Sequence, residues 1–124
     1  MDSYLIIGCG GFLGACARYW VAGWAAQKWG ASFPFGTLLI NVTGSFVLGL
    51  FTAATTSRLI VDPRWRLLFA IGFLGAYTTF STYTYESVQL LLAGNWWYGL
   101  ANLAASNLLG LGASALGVVL GRRL

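Results

Sequence analysis

The polar side chains that could do chemistry in this chain are neutral hydrogen-bond formers set among apolar residues. Asn41, Ser81, Thr82, Ser106 and Ser114 can each donate a hydrogen bond. They offer separate neutral sites rather than a dense cationic one. The densest run is Gly72 to Glu86, G-F-L-G-A-Y-T-T-F-S-T-Y-T-Y-E, with two glycines, four threonines, a serine and three tyrosines. Thr and aromatic residues lose rotamer freedom in a helix, and Gly costs about 1 kcal/mol against Ala. A plain lipid-facing helix is not built this way. Irregular backbone at membrane depth is tolerated only where protein or a watery cavity covers it. The run is therefore the expected working part of the molecule.

Three side chains each admit two readings. Asn41 is either a helix–helix hydrogen bond, worth about 0.6 kcal/mol in a membrane, or a pore-lining donor. Arg18, followed by Tyr19 and Trp20, either snorkels to the headgroups or stands in a vestibule and raises the local anion concentration. Glu86 is the single carboxylate inside any span. It is either a functional acid or a group wetted near a span end and bonded to neighbouring threonines. Cys9 and Cys16 read as small apolar residues; on one helix they lie about 10 Å apart, too far to bridge. With no His and no acidic cluster, neither a metal site of side-chain ligands nor an enzyme's nucleophile–base pair is suggested.

The elements that must hold these groups follow from composition. The 124 residues are 58% apolar and 8% charged, against about 25% charged in a soluble domain. An all-α integral membrane protein is expected. A span needs about 20 residues, so residues 1–124 form one membrane domain of four spans with short connections. The net charge of +4 is scattered or sits at span ends and lines no groove for nucleic acid. Asp2 where a basic leader would be expected argues against a cleaved signal peptide.

Span one is placed at Tyr4 to Trp24, with Gly10 and Gly14 as a small-xxx-small pair for close backbone approach. Span two is placed at Gly36 to Ala54 and carries Thr37, Asn41, Thr43, Gly44 and Ser45. Span three is placed at Leu67 to Leu92. After a turn at Gly94-Asn95 and an interfacial anchor Trp96-Trp97-Tyr98, span four runs to Leu120. It carries Asn102, Ser106, Gly110 and Ser114 at steps of four, either lining a pore or packing on a neighbour. The side of the membrane shared by the termini and the second connection holds Arg58, Arg64, Arg66, Arg122 and Arg123. The other side holds Lys28, joined by Arg18 on the snorkelling reading. The positive-inside rule then puts both termini in the cytoplasm.

Three motifs then become specific. G-G-F-L-G-A-C-A-R-Y from Gly10 to Tyr19, G-T-L-L-I-N-V-T-G-S-F from Gly36 to Phe46, and G-F-L-G-A-Y-T-T-F-S-T-Y from Gly72 to Tyr83 resemble, in order and spacing, the patterns of the Fluc (CrcB) family of small microbial fluoride channels. The resemblance covers nearly the whole chain. It implies a passive fluoride-selective channel that lets fluoride leave the cell across the inner (plasma) membrane and so lowers cytoplasmic fluoride toxicity. It implies an antiparallel, dual-topology homodimer with two pores, a third helix broken near its middle, and a structural sodium ion at the dimer centre.

Carried over residue by residue, Asn41 is the pore asparagine, and Phe80 and Tyr83 take the places of two pore phenylalanines. Gly75 and Thr78 supply sodium-binding backbone carbonyls, and Arg18 is the vestibule arginine. Thr37, Ser81, Thr82, Glu86, Ser106 and Ser114 fall among the polar residues of the fluoride path. The positive edge of an aromatic ring presented by Phe80 would favour an anion. The chain departs from the pattern at Tyr83, whose hydroxyl needs a partner when buried, and at Ala76, the usual second glycine of the break. It departs again at Asn102 and Gly110, where the family can have a tyrosine and a serine, and its arginine bias sits against dual topology. The runner-up reading is a small proton-coupled multidrug exporter, for which Glu86 is the sole candidate acid. A third is a non-conducting membrane subunit packed through its glycines.

Overall fold

The computed structural model describes residues 2–57 and 59–124; Arg58, counted in the charge balance above, lies outside them. Every element among the described residues is helical. In order they are α1 (Asp2–Trp29), α2 (Phe35–Ser57), α3 (Pro63–Trp65), a π-helical segment (Arg66–Leu74), α4 (Gly75–Tyr77), α5 (Phe80–Leu92) and α6 (Trp96–Gly121). Helices α1, α2 and α6 are each long and apolar enough to cross a membrane. The expected third span is there too, but in pieces. Pro63 to Tyr77 and α5 are separated by Thr78 and Thr79, whose backbones are extended.

Each helix runs further than hydropathy alone suggests, because its flanks carry their own caps and anchors. Helix α1 continues past Trp24 to Trp29, and the Lys28 ammonium sits 5.3 Å from the Trp24 ring centroid, a cation–π contact. Gly30 then takes φ +79°, a left-handed turn that ends the helix. Gly94 ends α5 in the same conformation. The third span starts at Pro63, where proline's missing N–H costs nothing. Asp62 caps it by accepting from the Arg64 amide at 2.9 Å, and the Arg64 guanidinium beside it holds the Asp62 carboxyl below the usual carboxylate range.

The packing fixes direction. Gly10 lies against the Leu68 carbonyl and Gly14 against the Phe73 carbonyl, so α1 and the first half of the third span run parallel. Gly117 meets Phe46 and Gly121 meets Leu50, so α2 and α6 run parallel as well. Gly36 abuts Ala22 across the tight first connection, which sets α1 and α2 antiparallel. The four elements therefore alternate. At Gly10, Gly14, Gly117 and Gly121 a Cβ would strike backbone atoms, so glycine is required there by proximity, and at Gly36 the fit is tight.

Phe69, Phe73 and Tyr77 stack at four-residue steps, with centroids 5.7 and 5.9 Å apart. Phe51 of α2 closes one end of this ladder at 5.1 Å, and Thr43 meets the Tyr77 hydroxyl at 3.0 Å near the other. Few side chains are fully buried, Ile40 and Asn102 being the largest, while Phe12, Trp20, Leu108 and Leu111 stand more than two thirds exposed. Apolar surface on this scale suits hydrocarbon rather than water.

Gly14→Leu should force α1 off the third span. Overpacking of this kind costs about 1–3 kcal/mol, read as a lower melting midpoint in detergent. Gly8→Leu, with nothing within 4 Å of its would-be Cβ, should leave the midpoint unchanged.

Candidate functional site

A helix broken inside a membrane exposes amides and carbonyls that must find partners. Helices α1 and α2 each send one side chain to this break. Asn41 makes a two-point contact with the Thr79 peptide: its Nδ2 donates to the Thr79 carbonyl at 2.9 Å, and its Oδ1 accepts from the Thr79 amide at 2.8 Å. Arg18 donates from Nε to the Ala76 carbonyl at 3.0 Å. That carbonyl closes the first half-helix, where a cation also opposes the negative end of the dipole. Thr79 caps α5 in turn, its hydroxyl accepting from the Thr82 amide at 3.2 Å and donating to the Thr82 hydroxyl at 3.1 Å. The methyl of Thr78 rests on Gly44 of α2.

These bonds divert donors from other groups. In a continuous helix the Thr79 amide would serve the Gly75 carbonyl, and the Thr82 amide would serve that of Thr78. Here Asn41 and the Thr79 hydroxyl take them. No cluster of three or more His, Cys, Asp or Glu side chains stands together among the described residues. The oxygens left without their usual amide partners at the break are the Gly75 and Thr78 carbonyls.

One cavity opens at the break and another lies by the first connection, and they divide the residues singled out in the sequence. The first, of about 240 Å³, is lined by Asn41, Phe80, Tyr83 and Ser106, together with Ser45, Thr78, Thr79 and Asn107. Phe80 and Tyr83 meet edge to face with centroids 5.7 Å apart. Phe80 is 76% exposed and Tyr83 7%. The Tyr83 hydroxyl, which needed a partner, accepts from Asn107 Nδ2 of α6 at 2.8 Å. Ser106 donates to Asn102 Oδ1 at 3.3 Å, and Asn102 donates to the Ser87 hydroxyl at 2.8 Å. That chain stitches α6 to α5.

The second cavity, of about 440 Å³, is lined by Thr37, Glu86 and Gln89 together with residues of the first connection, including Phe33 and Pro34. Glu86 therefore sits beside a connection rather than at mid-span. Its Oε1 is buried and without a hydrogen-bond partner among the described residues.

The remaining candidates lie elsewhere. Ser81 is exposed at the start of α5, where its carbonyl accepts from the Thr84 hydroxyl. Thr82 is engaged in the cap. Ser114 faces α2, its hydroxyl 3.5 Å from the Ser45 carbonyl, so the four-residue stripe on α6 splits. Asn102 and Ser106 turn to α5, Ser114 turns to α2, and Gly110 has nothing within 4 Å of its would-be Cβ. Ser45, Thr79 and Asn107 line the first cavity and were not singled out by sequence. Asn107 carried a usable signal: an amide within a span is costly unless paired, the same argument that singles out Asn41.

Comparison with known proteins agrees with the motif resemblance. Residues 5–118 match the family pattern described as CrcB-like protein, Camphor Resistance (CrcB). A protein of Koribacter versatilis named fluoride-specific ion channel FluC is 58% identical over 110 residues, 89% of this chain and 87% of that protein. One of the same name from Solibacter usitatus is 43% identical over 97% of this chain and 98% of that one. Another, from a Sulfurihydrogenibium species, is 40% identical over the full length of both. With the pattern covering nearly every residue from the first span to the last, the chain belongs to the CrcB family.

Proposed function

We propose that this protein is a passive, fluoride-selective channel, that it works as an antiparallel, dual-topology homodimer in the cell's inner membrane, and that it lets fluoride leave the cell. The observation that carries the reading is the break at Thr78 and Thr79 opening onto a cavity of neutral donors and aromatic edges, in a chain whose relatives are named fluoride-specific ion channels. Fluoride is small and tightly hydrated, so a path for it must replace water without holding the ion fast. Asn41 suits this. One of its amide protons is spent on Thr79 and the second remains free to donate. Phe80 adds a ring with a positive edge, and Arg18 places a fixed cation beside the same break.

The second copy is supported by what the single chain leaves uncovered. Gly75, Phe80 and Ser81 on the half-helices beside the break are exposed and the extended residues Thr78 and Thr79 only half-buried, and irregular backbone at membrane depth does not face lipid. A partner subunit laid against this face would bury it. Carbonyls of Gly75 and Thr78, deprived of their usual amides, are suitable ligands for a sodium ion between the subunits; when bound, it supplies positive charge that satisfies those oxygens. The exporter reading is less well served. A proton-carrying carboxylate wants mid-span placement, and Glu86 shares its cavity with residues of a connection.

The test is efflux from liposomes holding the purified protein, followed with a fluoride electrode and a matched chloride control. Fast fluoride release without chloride release is expected; well-folded protein that releases neither would overturn the reading. Phe80→Ile should reduce fluoride flux to background while the protein elutes unchanged by size, and undiminished flux would remove Phe80 from the path. Replacing sodium on both sides of the membrane by a large organic cation should lower flux, and equal rates in the two media would count against sodium at Gly75 and Thr78.

A further inference from the structure

Tyr83 and Asn107 form a pair that the family resemblance does not supply. Asn107 Nδ2 lies 2.8 Å from the Tyr83 hydroxyl and 2.8 Å from the Leu103 carbonyl. A carbonyl oxygen can only accept. The Asn107 atom facing Leu103 must therefore be the nitrogen, and its two protons go one to each neighbour. This settles the sense of the other bond: the Tyr83 oxygen accepts, so its own proton points away from Asn107.

That proton has no acceptor among the described residues. Tyr83 is buried, and it lines the 240 Å³ cavity with Asn41, Phe80 and Ser106. A buried donor left unused is costly, which favours something in the cavity that takes it. Ser106, the hydroxyl opposite, has spent its proton on Asn102 and turns lone pairs outward. The donors left to meet an anion there are the second Asn41 proton and the Ser45 hydroxyl, from α2, and the Tyr83 O–H, from α5.

We infer that Asn107 is a positioning residue that orients the Tyr83 hydroxyl as a hydrogen-bond donor to the permeating anion. The inference rests on the channel reading and deepens it. In place of a ring edge alone, this chain offers the anion an O–H group held in a fixed sense from α6. Hydrogen bonds to a charged acceptor are about twice as strong as neutral ones, so loss of this donor should be visible in the rate. Asn107 acts only through Tyr83, so its effect should vanish when the hydroxyl is gone.

The experiment is a double-mutant cycle on fluoride efflux from liposomes, with wild type, Tyr83→Phe, Asn107→Leu and the double variant each checked for unchanged elution by size. Tyr83→Phe and Asn107→Leu should each slow fluoride release by about tenfold, the scale of one lost hydrogen bond to a charged group. The double variant should release fluoride within about twofold of Tyr83→Phe alone, the strong coupling expected of two residues acting as a unit. Equal slowing by Asn107→Leu in both backgrounds would make Asn107 a packing residue and overturn the inference. Should Asn107→Leu fail to fold, Tyr83→Phe decides by itself: it removes one oxygen, and a wild-type rate would overturn the inference while leaving the channel reading intact. Wild-type vesicles that release no fluoride would overturn the channel reading and this inference with it.

Discussion

Every backbone polar group freed inside a membrane needs a partner from the protein itself, and the break at Thr78 and Thr79 is where this chain meets that demand. Lipid offers no hydrogen bonds at that depth, so a broken helix survives only where protein or a watery cavity serves its ends. Asn41 binds both polar groups of the Thr79 peptide, Arg18 serves the Ala76 carbonyl, and the Thr79 hydroxyl caps the second half-helix. The two helices flanking the break are thereby tied to it by polar contacts as well as by packing. A substitution at Asn41 would leave the part-buried amide and carbonyl of Thr79 unpaired at once.

Much of the glycine content follows from this arrangement. For Arg18 to reach Ala76, α1 must lie close to the third span, and Gly10 and Gly14 allow it. For Asn41 to meet Thr79 squarely, α2 must let Thr78 come down on its surface, and Gly44 provides the space. The stacked ladder of Phe69, Phe73 and Tyr77 stiffens the first half of the span up to the break. Its π-helical winding is a rare form that tends to accompany functional irregularity.

The chemistry at the site is correspondingly restrained. Among the described residues no side-chain cation lines the cavity beside the break, and its groups are amides, hydroxyls and aromatic edges. A dense positive site would bind an anion and keep it; neutral donors in a dry setting can replace part of a hydration shell and still let go. Direction matters as much as identity, because a hydroxyl that has spent its proton repels the anion that a free one attracts. Ser106 and Tyr83 have the same functional group in the same cavity, and their neighbours Asn102 and Asn107 give them opposite senses.

The sequence by itself determined the class, the number of elements and the location of the irregularity. Eight per cent charge in 124 residues leaves no soluble surface, the apolar runs set three long helices, and the Thr-rich run after Gly75 reads as a helix that cannot continue. These are local properties, decided by composition and propensity over neighbouring residues. Only the tertiary structure decided what each polar side chain does, because a hydrogen bond depends on a partner far away in the chain. Asn41 could read as either a helix–helix contact or a pore donor, and the structure spends its carbonyl and one amide proton on the Thr79 backbone of the third span. Arg18 lies beside its neighbours Tyr19 and Trp20 in sequence but reaches Ala76, 58 residues on. The four-residue stripe of Asn102, Ser106, Gly110 and Ser114 suggests one face of α6, yet its ends serve different helices, since a long helix packed on two neighbours turns its face between them. Asn107, next to that stripe, acquires a role only through the Tyr83 hydroxyl across the α5–α6 contact, a pairing of residues 24 positions apart.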